Sequence, residues 1–186
     1  GYLGRVHPRK NIERVIYAWH QLQNTVNNGE LIIIGDGDKQ YMDFLKQESK
    51  RLQLNNVMFT GFLSGNEKEK ALNSLSFLVV PSDFENFGNI VTEALVKGVP
   101  VIASKGAPWQ ELNIHRCGWW IDNDVDTIAK TLKEAIFLSE EECRQMGMRG
   151  RELIKENYSI EIVAQKMMRL YQWILGQTEK PDFVYK

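Results

Sequence analysis

Cysteine, histidine and proline are scarce in this 186-residue sequence, and neither sign of charge predominates. The two cysteines, Cys117 and Cys143, are far apart with no CxxC spacing, which argues against a disulfide framework and a cysteine zinc site and leaves reduced thiols as the default. His7, His20 and His115 are scattered, so a histidine-rich metal site is not expected either. With 23 basic and 24 acidic residues the formal net charge is -1, and the strong basic excess of a nucleic-acid-binding protein is missing. No apolar run approaches the roughly 18 residues that would span a bilayer, and no secretory leader is visible. Also missing are the Gly-x-x-x-x-Gly-Lys-Ser/Thr of a nucleotide P-loop and the Gly-x-Ser-x-Gly of a serine hydrolase.

What is present is an alternation of short apolar runs with helical patterns. Leu31–Ile34, Val57–Phe59, Phe77–Val80 and Val99–Ala103 are continuous rather than alternating, as strands covered on both faces require. Each ends in glycine, proline, serine or threonine. Between them, Ile12, Val15, Ile16, Trp19 and Leu22 follow helical spacing after Asn11, a candidate N-cap, and Tyr41, Phe44, Leu45 and Leu52 continue the pattern. Ser64–Glu67 and Ser139–Glu142 both fit a capping box. From about Val125 the sequence reads as almost entirely helical. The expectation is a single α/β domain over residues 1–186, a doubly wound parallel sheet with right-handed crossovers and a helical C-terminal tail. Gly1–Arg5 reads as the end of a strand, so the sequence is expected to belong to a longer chain.

Ligands in such sheets bind beyond the carboxyl ends of the strands, and the polar clusters fall there. Arg5 and Lys10 follow the first strand, and an arginine fork with a lysine charge suits a diphosphate; solvated surface charge is the plainer reading. Glu85 and Glu93 stand eight residues apart around Phe87, Gly88 and Asn89, just where a helix begins. The free N–H groups there would receive an anion, while the carboxylates would repel one and are better matched to hydroxyls on either side of it. A helix-stabilising carboxylate and a loop charge are the alternative. Phe62 and Leu63 are candidate walls for a nucleobase, and Trp109 is a candidate stacking platform; Trp119 and Trp120 read as packing residues starting a short strand. Asp36-Gly37-Asp38 and Asp122-Asn123-Asp124 resemble metal-binding doublets but read better as turns and helix caps.

Taken together, "GRVHPRKN", "LIIIGDGD", "VMFTGFLS", "FLVVPSDFENFGNIVTEALVKGVPVIAS" and "ENYSIEIVAQKMMRLY" resemble the C-terminal, donor-binding domain of retaining GT-B glycosyltransferases of the glycosyl transferases group 1 family, whose signature is the Glu-x7-Glu pattern. The sequence departs from the family in Lys10-Asn11, where Lys-Gly is commoner, and in Asp38, where proline is frequent. The resemblance implies a Rossmann-like fold that binds a UDP- or GDP-sugar. Arg5 and Lys10 would neutralise the departing diphosphate, and Glu85 would hold hydroxyls of the donor sugar. Glu93 would hold the ribose, with backbone at Phe87, Gly88 and Asn89 adding N–H donors. No metal or other cofactor would be required. A glycan or lipid acceptor would be bound by a separate N-terminal domain absent from these residues. The resemblance further implies a cytoplasmic protein, peripheral at the inner membrane face in its full-length form, serving bacterial cell-surface polysaccharide, lipopolysaccharide or glycolipid synthesis. A sugar-nucleotide epimerase of similar fold and a noncatalytic nucleotide-sugar-binding module are the competing readings.

Overall fold

The computed structural model of the chain describes residues 1–26 and 29–185. Among the described residues six strands are joined by helices: β1 (Tyr2–Leu3), α1 (Ile12–Leu22), β2 (Leu31–Ile34), α2 (Lys39–Arg51), β3 (Val57–Gly61), α3 (Gly65–Ser74), β4 (Leu78–Val80), α4 (Asn89–Lys97), β5 (Val101–Ser104), α5 (Glu111–Ile114), β6 (Gly118–Ile121), α6 (Val125–Ile136), α7 (Glu140–Asn157) and α8 (Ile160–Ile174). A single 3-10 turn, Pro8–Lys10, precedes α1.

All the strand pairs are parallel, in two ladders ordered β1-β2-β3 and β4-β5-β6. The ladders meet at β1 and β4, where the Val79 N–H donates to the Gly1 carbonyl at 2.8 Å. Read across this seam the order is 3-2-1-4-5-6, the doubly wound arrangement, and the winding reverses between β1 and β4. A crevice opens at such a reversal because the loops after the two strands turn to opposite faces.

Alternation along the strands explains why the apolar runs are unbroken. Ile33, Val79, Ile102 and Trp119 point into one core, shared with α1, α2 and α6. Their neighbours Ile34, Val80, Ala103 and Trp120 point into the other, shared with α4, α5 and α7. Successive side chains face opposite ways along a strand, so burial on both faces leaves no polar position. Gly35, at the end of β2, lies so close beneath β1 that a Cβ there would sit 1.8 Å from the Gly4 carbonyl oxygen. No larger residue fits.

The helix starts are partly as expected. Ser139 closes a true capping box with Glu142, and Asp38 and Asp124 accept from Tyr41 N–H and Thr127 N–H at 2.9 and 2.8 Å. Two expectations are corrected. Asn11 occupies the N-cap position of α1 in a left-handed conformation (φ 49°, ψ 40°) and makes no side-chain cap bond. Its amide instead donates to the Pro81 carbonyl at 3.1 Å, and the Ile12 N–H is satisfied by the buried Tyr41 hydroxyl at 2.8 Å. Ser64 forms no capping box: Gly65 is left-handed (φ 49°), and the Glu67 N–H bonds to the Ser64 main-chain carbonyl. The chain beyond Val125 is helical as read, although α8 buries none of its residues. Among the described residues no helix is long and apolar enough to cross a membrane.

Candidate functional site

The loops after β1 and β4 are stitched together before they present any functional group. Pro81, directly after β4, accepts from the Asn11 amide at 3.1 Å and from the Asn123 amide at 2.7 Å. The Glu85 N–H donates to the Gly106 carbonyl at 2.9 Å, and the Ser104 hydroxyl donates to the Ser82 carbonyl. On the other side the Tyr2 hydroxyl donates to the Arg5 carbonyl at 2.8 Å. Burial, reinforced by the nearby Glu85 charge, keeps that phenol protonated well above the usual tyrosine range, so it remains a donor.

A cleft of about 330 Å³ lies between these loops and is lined by Arg5, Lys10, Ser82, Glu85, Gly88, Asn89 and Glu93. Lys10 donates to Glu85, which also accepts from the Ser82 hydroxyl at 2.7 Å. Both members of the ion pair are largely buried, and the ammonium keeps further N–H donors for a ligand. Arg5 is exposed and has no ion-pair or side-chain hydrogen-bond partner among the described residues. α4 begins at the rim of the same cleft. Gly88 takes the left-handed conformation (φ 83°, ψ 61°) that ends the loop, and the N–H groups of Gly88 and Asn89 have no acceptor among the described residues. Free N–H groups and the positive end of the helix dipole therefore face the space beside Arg5 and Lys10. Glu93, one turn into α4, pairs with Lys68 of α3.

A second cavity of about 340 Å³ adjoins the first and shares Leu3, Gly4, Arg5 and Lys68 with it; Ile34, Gly35, Asp36, Phe62 and Leu63 complete it. Phe62 is 74% exposed and forms one open wall. The two cavities form a cationic cleft with an apolar annex, of the size and mixed polarity that suit a small polar ligand with one flat, apolar end. A wider groove of about 1020 Å³ runs between α3, α4, α7 and α8. Within it Lys97 pairs with Glu69, and Arg151 donates to the last carbonyls of α4.

Most of the expected residues thus converge, namely Arg5, Lys10, Glu85, Gly88, Asn89 and Glu93 in the cleft and Phe62 and Leu63 in the annex. Phe87 does not line the cleft. Its ring packs against Trp109 and Tyr158, with centroids 5.1 and 5.6 Å away, and its carbonyl accepts from the Trp109 indole. Trp109 is fully buried, so it is no stacking platform. Asp38 and Asp124 cap helices, and Asp122 pairs with Lys105 at 2.8 Å. Among the described residues no group of three or more His, Cys, Asp or Glu side chains could hold a metal ion. Lys68 was missed. It lies in the first turn of the crossover helix after β3, and that position at the carboxyl ends of the strands was the signal available.

Comparison with known proteins bears on this site. The family described as "Glycosyl transferases group 1" matches residues 1–153. A "GDP-mannose-dependent alpha-mannosyltransferase" of Mycolicibacterium smegmatis is 30% identical over 179 residues, 95% of this chain and 44% of that one. A "Lipopolysaccharide 1,2-N-acetylglucosaminetransferase" of Salmonella typhimurium is 27% identical over 176 residues, 89% of this chain and 45% of the relative. The crystal structure of Anabaena HepE in complex with UDP-glucose superposes with a TM-score of 0.80 at 22% identity, covering 92% of this chain and 48% of that one. The chain therefore spans less than half the length of these relatives.

Proposed function

The chain belongs to the glycosyl transferases group 1 family and has the Rossmann-like α/β fold of one domain of its GT-B structural neighbours, and from this premise we propose that residues 1–186 are the donor-binding half of a retaining glycosyltransferase. Its substrate on this side is a UDP- or GDP-sugar. A glycan or lipid acceptor is held by the part of the enzyme outside these residues, in the synthesis of a bacterial cell-surface polysaccharide, lipopolysaccharide or glycolipid. One observation carries the reading: Arg5, Lys10 and the N-terminus of α4 meet in one cleft, with a carboxylate on either side.

In this proposal the diphosphate lies against Arg5, Lys10 and the N–H groups of Gly88 and Asn89. Charge accumulates there as the glycosidic bond to phosphate breaks, and fixed donors in a partly dry cleft stabilise it without reorganising. Glu85, held by Ser82 and Lys10, accepts from hydroxyls of the departing sugar. Glu93 accepts from the ribose, with Lys68 setting its orientation, and the base lies against Phe62 and Leu63 in the annex. The reaction needs no metal ion in this reading, since Arg5 and Lys10 supply the countercharge, while Asp38 and Asp124 are engaged as caps and Asp122 in an ion pair. A cytoplasmic setting, peripheral at the inner membrane face for the whole enzyme, fits two free cysteines and a nucleotide-sugar donor.

The test is calorimetric titration of this chain with UDP, GDP and ADP, in EDTA and then with magnesium. Saturable binding of UDP or GDP in EDTA is expected. Binding only with magnesium would transfer the role to the aspartate doublets, and no binding by folded protein would overturn the proposal.

A further inference from the structure

Resting on that reading, we propose that Trp109 is a positioning residue: its indole N–H sets the orientation of the Phe87–Gly88 peptide and so aims the Gly88 N–H at the donor diphosphate. Gly88 makes such a device necessary. A glycine moves between φ regions at almost no cost, so the peptide before it is free to turn over and point its carbonyl at the cleft. A carbonyl oxygen there would repel phosphate.

Three observations support the assignment. The Phe87 carbonyl accepts from the Trp109 indole, and among the described residues no peptide bond is cis. In a trans peptide the C=O and the following N–H point in opposite directions. Holding the carbonyl against Trp109 therefore sends the Gly88 N–H away from it. Gly88 lines the cleft and Trp109 does not, and that N–H has no acceptor among the described residues.

Trp109 is in turn held rigidly. It is fully buried, and its ring packs with Phe87 and with Tyr158, whose centroid is 5.3 Å away. The Tyr158 hydroxyl at the end of α7 donates to Glu111 in α5, two residues beyond Trp109. Trp120 fastens the same loop through its indole, which donates to the Ala107 carbonyl at 2.7 Å. The indole also lies against the open side of the glycine, where a Cβ on Gly88 would sit 3.4 Å from Nε1. A buried indole N–H needs an acceptor, so the bond that satisfies Trp109 is the one that fixes the peptide.

The experiment replaces Trp109 by β-(3-benzothienyl)alanine, which keeps the bicyclic ring and its packing but has no N–H. Trp109→Phe serves as a second, simpler variant. Affinities for UDP and GDP are compared with those for uridine and guanosine, which carry no phosphate. The expected result is a roughly tenfold loss for the diphosphates, the size of one hydrogen bond to a charged acceptor, with the nucleosides unchanged. In ligand-free protein the Phe87 carbonyl carbon and Gly88 amide nitrogen resonances shift. Diphosphate affinity within twofold of the parent, or an equal loss for nucleosides, would overturn the proposal and leave the donor site standing. If the parent chain binds no nucleotide, the donor reading fails on its own. The peptide assignment is then decided by the ligand-free spectra, where unchanged Phe87 and Gly88 resonances overturn it.

Discussion

Replacing Lys10 by methionine removes one charge from the cleft while keeping most of the apolar stem of the side chain. In the ligand-free protein Lys10 is the cationic partner of Glu85, and both side chains are largely buried, 21% and 17% exposed. Its loss therefore acts twice. The diphosphate forfeits a charge-assisted hydrogen bond, a contribution of about 1.5–3 kcal/mol. Glu85 keeps only the Ser82 hydroxyl as a side-chain partner and becomes an uncompensated negative charge in the anion's cleft. At about 1.4 kcal/mol per factor of ten, the first effect alone weakens binding roughly 10- to 150-fold. The second makes the loss larger and distinguishes it from a general disturbance. Adding Glu85→Gln to Lys10→Met removes the unpaired carboxylate, so the double variant binds UDP or GDP more tightly than Lys10→Met alone. Calorimetry in EDTA at two ionic strengths measures the parent, Lys10→Met and the double variant, and the parent affinity falls as salt rises. A folded Lys10→Met protein binding within twofold of the parent would refute the placement of the diphosphate.

Other outcomes follow from the same geometry. Gly88→Ala forces a Cβ into a left-handed conformation (φ 83°) and costs about 1–2 kcal/mol in denaturant unfolding. Leu78→Ala, at a fully buried position in β4, costs about 2–5 kcal/mol by the same measurement. Alkali destabilises the fold in a defined window. Burial pushes the Cys117 thiol from 9.0 up to about 11, and the Tyr2, Tyr41 and Tyr158 phenols are also raised, chiefly by burial. The folded chain holds these protons more tightly than the unfolded chain, so these groups make the urea midpoint fall as pH rises from 9 through 11. Cys117→Ala makes that fall shallower.

Much of the architecture was legible because it depends on local pattern. Leu31–Ile34 and Leu78–Val80 are apolar at every position since both faces of the sheet are covered, and Ser139 and Asp124 cap helices with partners three residues away. Arg5, Lys10 and the Glu85–Glu93 stretch could be placed in one cleft because strand order sends both loops to the same edge. What escaped depends on partners distant in sequence. Trp109 lies in a polar loop beside Pro108 and Gln110, and only the arrival of Phe87 and Tyr158 buries it. Asn11 meets the description of an N-cap, yet Pro81, 70 residues on, takes its amide. Lys68 sits in an ordinary charged helix, and nothing nearby announces Glu93.

The central claim is that the cleft between β1 and β4 holds a nucleotide diphosphate, and a crystal structure of this chain grown with UDP or GDP tests it most directly. The account predicts phosphate oxygens about 3 Å from the Arg5 guanidinium, the Lys10 ammonium and the N–H groups of Gly88 and Asn89, with the ribose at Glu93 and the base against Phe62 and Leu63. A nucleotide lodged in the wider groove between α3 and α8, or held through a metal ion at Asp36 or Asp122, would contradict it.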